Sequence, residues 1–239
     1  MNTTMSMTTM STPYTPSAST PYGDKVIVCQ HPLLAHHLTL LRDQATPCAE
    51  FRASIKRVAQ FVMMEATKLL PTAATMVETP ICKTQGRTIA PDVPLIIVPI
   101  LRAGLMMGDI ALDWMPHASV YHVGLQRDEE TLEPSTYYNK LPAQGERMDY
   151  SRARLFIVDP MLATGGSAVA AINIISKLGV AEEHITFASI LAAPEGIEQL
   201  RRHYPNITIV TGALDEKLNQ VGYIVPGLGD AGDRSFGTL

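Results

Sequence analysis

One stretch of this chain puts an acid, glycines and hydroxyls in the order that a sugar-phosphate site requires. The apolar run Leu155-Phe156-Ile157-Val158 is followed by Asp159, Pro160, Met161, Leu162, Ala163, Thr164, Gly165, Gly166 and Ser167, and then by an apolar helical pattern. A buried strand would thus end in one carboxylate. The glycines would let the backbone curl so that successive N–H groups point inward. The N-terminus of the next helix would add positive potential, and Thr164 and Ser167 would add hydroxyl donors. Such a cradle suits a phosphate monoester. It is not a P-loop, because the lysine of G-x-x-x-x-G-K-[ST] is missing. An ordinary strand-to-helix turn would explain Thr-Gly-Gly-Ser by itself, and Asp159 just ahead of it favours a site.

Two arginines and a second glycine run are further candidates. Arg102, in Leu101-Arg102-Ala103-Gly104, follows another apolar run. Its fork of donors suits a diphosphate better than an ammonium would. By residue type alone, a surface arginine capping the next helix is the plainer reading. Arg127 opens a long charged segment that reaches Asp149 and is interrupted by Pro134 and Pro142. Arg127-Asp-Glu-Glu130 reads as a solvated charge run, although a loop this long within a compact domain is often functional. Gly222 to Gly237 is dense in glycine, which fits either a flexible tail or backbone brought close to a ligand. His36 and His37, adjacent on a helix, point in different directions and cannot share a metal. Met63, Met64, Met106 and Met107 read as core filler.

The elements that would carry these residues follow from periodicity. Lys25 to Cys29 predicts a short strand, and His31-Pro32 opens a helix. Phe51, Ile55, Val58, Val62 and Leu69 share one helical face, with Pro71 ending the run. Thr75 to Ala90 alternates around Gly86 as a two-stranded ribbon would. From Pro94 onwards, apolar strands (95–98, 119–125, 155–158, 185–191 and 207–211) alternate with helices (105–114, from about 167 to 178, and after Pro194). That alternation predicts an α/β fold, a mostly parallel twisted sheet flanked by helices. Ligands would sit beyond the carboxyl ends of its strands, after Val98, Leu125, Val158 and Leu191.

Composition narrows the class. Of 239 residues, 46% are hydrophobic and 18% charged, enough apolar material for a buried core. The net charge of −4 argues against nucleic acid as a partner. Cys29, Cys48 and Cys82 lack C-x-x-C spacing, so idle thiols in a reducing cytoplasm are expected rather than disulfides or zinc. No apolar run is long enough to span a membrane. Residues 1–23, mostly Met, Thr, Ser and Pro, are expected to be a disordered tail, with one domain over 24–239.

The run Asp159 to Ser167 resembles the phosphoribosyl-pyrophosphate signature of the type I phosphoribosyltransferases, in the form of the uracil phosphoribosyltransferase branch. The common signature has two adjacent acids and ends in Thr. Asp159-Pro160 and Ser167 stand here instead, as in the uracil branch, so one carboxylate is left to face the ribose hydroxyls. Three more segments are similar to that family: Val98 to Gly104; Gly124 to Thr131 with Tyr137 to Pro142; and Gly222 to Arg234. The likeness runs from about His31 to the C-terminus, with His37 where the family often has lysine.

The resemblance implies the fold, a small hood from N- and C-terminal segments (214–239 among them), and a reaction. Uracil and phosphoribosyl pyrophosphate (PRPP) would give UMP and diphosphate in pyrimidine salvage, without a covalent intermediate. It implies that Asp159 orients the ribose while Pro160, Met161, Leu162, Ala163, Thr164, Gly165, Gly166 and Ser167 bind the donor. Arg102 and Arg127 would hold the pyrophosphate, Arg127 from a mobile flap over 127–149. A lid makes physical sense, since water would capture an oxocarbenium-like species. Ile224 and Gly229-Asp230-Ala231 would read uracil through main-chain groups, and cytosine's amino group would leave an N–H unpaired. Asp230 also faces the donor, with Mg²⁺ carried by PRPP near it and no metal ligand set assigned. Asp233 would back it up. Some relatives are activated by GTP, and relatives form dimers or larger assemblies. A non-catalytic RNA-binding regulator on the same fold is the rival reading.

Overall fold

The computed structural model describes residues 20–127, 134–141 and 150–238. From the N-terminus, β1 (Val26–Val28) precedes helices α1 (Pro32–Arg42) and α2 (Cys48–Ala66), then a ribbon of β2 (Thr72–Glu78) and β3 (Lys83–Ile89). Next come β4 (Leu95–Leu101), α3 (Leu105–Trp114), β5 (Ser119–Val120), β6 (Val123–Arg127) and β7 (Pro134–Asn139). They are followed by β8 (Arg154–Val158), β9 (Met161–Leu162), α4 (Gly166–Ile175), β10 (Ile185–Ala192), α5 (Pro194–His203) and β11 (Thr208–Leu214). The chain closes with β12 (Lys217–Leu218), β13 (Ile224–Val225) and α6 (Ala231–Phe236).

Among the described residues nine strands form the main sheet, in the order β1-β11-β10-β8-β4-β6-β7, with β5 beside β4 and β9 beside β10. The pairings are parallel except β6 with β7. Continuous apolar runs form its centre because both faces are covered. Along β8, Leu155 and Ile157 join Ile172 and Ile197 on the α4–α5 side. Phe156 and Val158 join Phe51, Val58 and Met107 on the α2–α3 side. Each such side chain is worth roughly 1.5–3 kcal/mol of burial, so the sheet's centre is the rigid part of the molecule.

Three expectations change. The second helix ends at Ala66, before Pro71, because Thr67 closes it: its N–H and hydroxyl both bond the Met63 carbonyl, at 3.0 and 2.8 Å. Leu69 therefore leaves the helical face and is 78% exposed. The ribbon turns at Thr79–Cys82, not at Gly86. The Thr79 hydroxyl accepts from the Ile81 and Cys82 N–H groups there, while Gly86 sits mid-strand opposite Thr75. The strand expected over 119–125 splits in two: β5 pairs with Ile96 and Ile97, β6 with Ile100 and Leu101.

Candidate active site

The carboxyl ends of β4, β8, β10 and β11 point to one edge, and the candidate residues gather there. After β8 the Asp159 N–H bonds the Ala188 carbonyl (3.2 Å), tying the loop to β10. Met161 and Leu162 then form β9 against Leu191 and Ala192, a strand the sequence reading did not foresee. Leu162 is 1% exposed within the core and its carbonyl accepts from the Ala193 N–H at 2.9 Å, so it anchors the loop rather than facing a ligand. Gly165 takes φ +81 as the N-cap of α4, and a Cβ there would lie 2.9 Å from the Gly196 carbonyl. Gly196 in turn leaves no room for a Cβ, which would fall 2.5 Å from the Ala163 carbonyl. The first turn of α5 thus presses the cradle into shape. Glu195 has a structural tie: its Oε1 accepts from the Leu218 N–H at 2.9 Å.

Asp159 is the most perturbed group at this edge. Burial pushes its carboxyl up from 3.8 to about 7; a hydrogen bond from the Met161 amide opposes this, and the negative charge of Asp230 adds to it. The fold therefore brings together two carboxylates 71 residues apart in sequence (230 − 159). A cationic or hydroxyl-rich ligand would relieve both.

Arg102 follows β4 on an exposed turn, and the Leu101–Arg102 peptide is cis. Gly104 permits this turn to lie against β8, since a Cβ would fall 2.4 Å from the Val158 carbonyl. The Arg102 guanidinium reaches Asp233 (Nη2 to Oδ1, 3.3 Å) and lies 5.9 Å from the centre of the Phe236 ring. The Arg127 backbone ends β6 opposite Pro134. Its side chain, and the flap residues 128–133 and 142–149, lie outside the described residues, as do residues 1–19 of the expected tail. The described part of the expected flap includes β7, whose Tyr137 ring covers Gly124.

The C-terminal glycine run is ordered backbone, not a tail. Val225–Pro226 is cis, and Gly227 and Gly229 take φ +63 and +80. Ile224 and Ala231 are buried, whereas Gly229 and Asp230 are exposed. The Asp230 carboxylate caps α6 by accepting from the Asp233 N–H at 2.8 Å. Three charged residues that the sequence reading passed over hold this segment: Arg42, Asp215 and Arg234. No local signal marks them, since Arg42 and Asp215 are 173 residues apart.

Comparison with known proteins gives one consistent picture. The family described as uracil phosphoribosyltransferase matches residues 28–238. A protein named uracil phosphoribosyltransferase from Dictyoglomus thermophilum is 52% identical over 213 residues, 89% of this chain and 99% of that one. The protein of the same name from Bacillus licheniformis is 50% identical over 214 residues, 90% and 99% of the two chains. Among solved structures, the AQ2163 protein of Aquifex aeolicus superposes with a TM-score of 0.79 at 34% identity, covering 88% of this chain and 97% of its own. Adenine phosphoribosyl transferase from Trypanosoma brucei, solved with AMP, pyrophosphate and ribose-5-phosphate, gives a TM-score of 0.53 at 12% identity over 80% and 84% of the chains, a likeness of fold alone.

Proposed function

The chain belongs to the uracil phosphoribosyltransferase family, and from that premise we propose how its residues divide the work. The reaction joins uracil to PRPP, giving UMP and diphosphate in pyrimidine salvage. A ring nitrogen of uracil gives up its proton, to the departing diphosphate or to solvent, and bonds to the anomeric carbon of the ribose, while the diphosphate leaves with the electron pair of the bond that breaks. No side chain needs to act as nucleophile, so catalysis rests on positioning and electrostatics.

The cradle from Met161 to Ser167, with Pro160 shaping its entry, holds the 5′-phosphate, and Asp159 orients the ribose hydroxyls. Arg102 takes the diphosphate, joined by Arg127 from the flap. Ile224 and Gly229-Asp230-Ala231 present main-chain groups to uracil. One observation carries this reading: Arg102, on the donor side, pairs with Asp233, on the base side, at 3.3 Å, so the two segments lie side by side.

Magnesium fits the donor set. Asp230 and Asp159 offer hard oxygens to an ion that usually takes one or two carboxylates plus substrate phosphates. When bound, it would neutralise charge on the departing diphosphate.

GTP as an activator rests on resemblance alone, and we assign it no site. A homo-oligomer is in keeping with exposed Met76 and Ile81 on the β2–β3 ribbon. A cytoplasmic location suits three free cysteines. Among the described residues no helix is long and apolar enough to cross a membrane. We do not carry the RNA-binding regulator forward, given net charge −4 and relatives named for the transferase. The test is diphosphate release on mixing the protein with uracil, PRPP and Mg²⁺, with cytosine and purines in competition. Release that does not depend on uracil defeats the reading. Arg127→Ala should depress turnover more than uracil affinity, and unchanged kinetics would remove Arg127 from the site.

A further inference from the structure

Backbone that reads a base needs something to hold it still, and two distant charges do so here. Asp215, just past β11, is 7% exposed. Its carboxylate takes the Arg42 guanidinium through both oxygens: Nη1 donates to Oδ2 at 2.8 Å and Nη2 to Oδ1 at 2.5 Å. The same pair grips Gly227 from both sides. The Gly227 N–H donates to Asp215 Oδ2 at 2.9 Å, and its carbonyl accepts from Arg42 Nη1 at 2.9 Å. Arg42 is the last residue of α1, where the helix dipole also favours a cation.

Gly227 lies between Ile224 and Gly229-Asp230-Ala231. A Cβ on it would fall 2.1 Å from the Ile224 carbonyl, so the turn closes against Ile224 with no room for a side chain. The next peptide is seated by a second cation. Arg234 donates to the Leu228 carbonyl at 2.7 Å and to the Leu41 and Asp43 carbonyls, and its guanidinium lies 4.2 Å from the centre of the Phe51 ring. The segment is thus fixed by the α1–α2 region and by Asp215 just past β11.

We propose that Arg42 and Asp215 are specificity-determining positioning residues: by locking both polar groups of Gly227, they set the direction of the main-chain donors and acceptors that tell uracil from cytosine. Neither touches the base. This rests on the reading of Ile224 and Gly229 to Ala231 as the uracil site. Uracil offers two carbonyl acceptors about one N–H donor, and cytosine replaces one acceptor with an amino group. A fixed peptide N–H facing that position is left unpaired by cytosine. A peptide free to turn would offer its carbonyl instead, and the discrimination would fall.

The experiment measures kcat and KM for uracil and for PRPP, with the uracil-to-cytosine ratio of kcat/KM, in Asp215→Asn and Arg42→Lys. Asp215→Asn keeps the shape and removes the charge. It should raise the uracil KM about 10- to 100-fold, the range for losing charge-assisted hydrogen bonds. The PRPP KM should stay within about 2-fold, and the base ratio should fall. Arg42→Lys keeps the charge and loses the fork, so its shifts should be in the same direction and smaller. If Asp215→Asn does not fold, Arg42→Lys and Arg42→Gln carry the test, because the Arg42 side chain is 28% exposed against 3% for Asp215. Equal rises in both KM values, or an unchanged uracil KM and base ratio, overturn the proposal. Failure of the wild-type protein to turn over uracil would instead overturn the functional reading, so the two failures are distinguishable.

Discussion

The proposed donor-side and base-side segments are built in opposite ways. The phosphate cradle grows out of the sheet's centre. Its residues are consecutive, its tie to β10 is backbone, and only small residues fit where α5 presses on it. The C-terminal segment adds only the short β12–β13 pair, and Ile224, Leu228 and Ala231 pack into the core on the α2–α3 side. Its polar ties come from Arg42, Asp215 and Arg234, which lie 6 to 193 residues from the backbone groups they bond. On the proposed roles, a common phosphate group is met by a local motif, and a particular flat ring by backbone whose aim is set from elsewhere and is therefore open to adjustment by distant substitution.

The harshest way to break the contrast is at the cradle itself. Asp159→Asn should cut turnover by about 10²-fold or more, since it removes charge where positive character develops in the reaction. Steady-state rates check this. The same variant should be more stable than the parent at pH 8. Burial holds the Asp159 carboxyl at about 7 in the fold against 3.8 ordinarily, so ionising it costs stability progressively as pH rises from about 4 through 7. Removing the charge should recover at most about 4 kcal/mol above that window and almost nothing at pH 4, read from thermal melts.

Next in size is Gly227→Ala at the hood. With φ at +63, a Cβ would fall 2.1 Å from the Ile224 carbonyl, so a methyl group is untenable without moving the loop proposed to read the base. Uracil KM should rise by about 10-fold or more, with PRPP binding nearly kept. Gly179→Ala is the control: its φ is +80 with nothing within 4 Å of a Cβ, so it should cost only about 1–2 kcal/mol and leave both KM values alone.

pH should separate the ends more gently. On the proposal that the donor meets the Asp159 carboxylate, kcat/KM for PRPP should climb from pH 5 to about 7 and then level off. Uracil binding through main-chain groups, which do not titrate, should follow that profile only where PRPP is not saturating. A uracil KM that tracked pH at saturating PRPP would argue for a titrating side chain at the base. Smallest of all, Asp233→Asn removes the ion pair between the ends, 3.3 Å long with side chains 57% and 39% exposed. Such exposed pairs contribute about 0–1 kcal/mol, so both KM values should change by less than about 5-fold.

Much of this was legible beforehand, for a physical reason. Strands such as 95–98 and 155–158 announce themselves because a strand buried on both faces must be apolar throughout, and the cradle because a curled anion site needs glycines in sequence. Boundaries were less legible. The end of α2 was settled by Thr67 rather than Pro71, and the ribbon's turn by Thr79 rather than Gly86. In each case one hydroxyl found a nearby backbone partner, a local competition that apolar periodicity does not register.

By itself, then, the amino-acid order determined what is local: the alternation of strands and helices, the glycine turn that opens α4, and the positive-φ glycines near the C-terminus. Tertiary structure alone decided which charges meet. The pairing of Arg42 with Asp215 on Gly227, the press of α5 on Gly165, and the field of Asp230 on Asp159 all join residues distant in sequence. Short-range pattern encodes which backbone conformations and burials are favourable. A hydrogen bond between distant groups has no such pattern, because its geometry exists only once the sheet has brought the partners within reach.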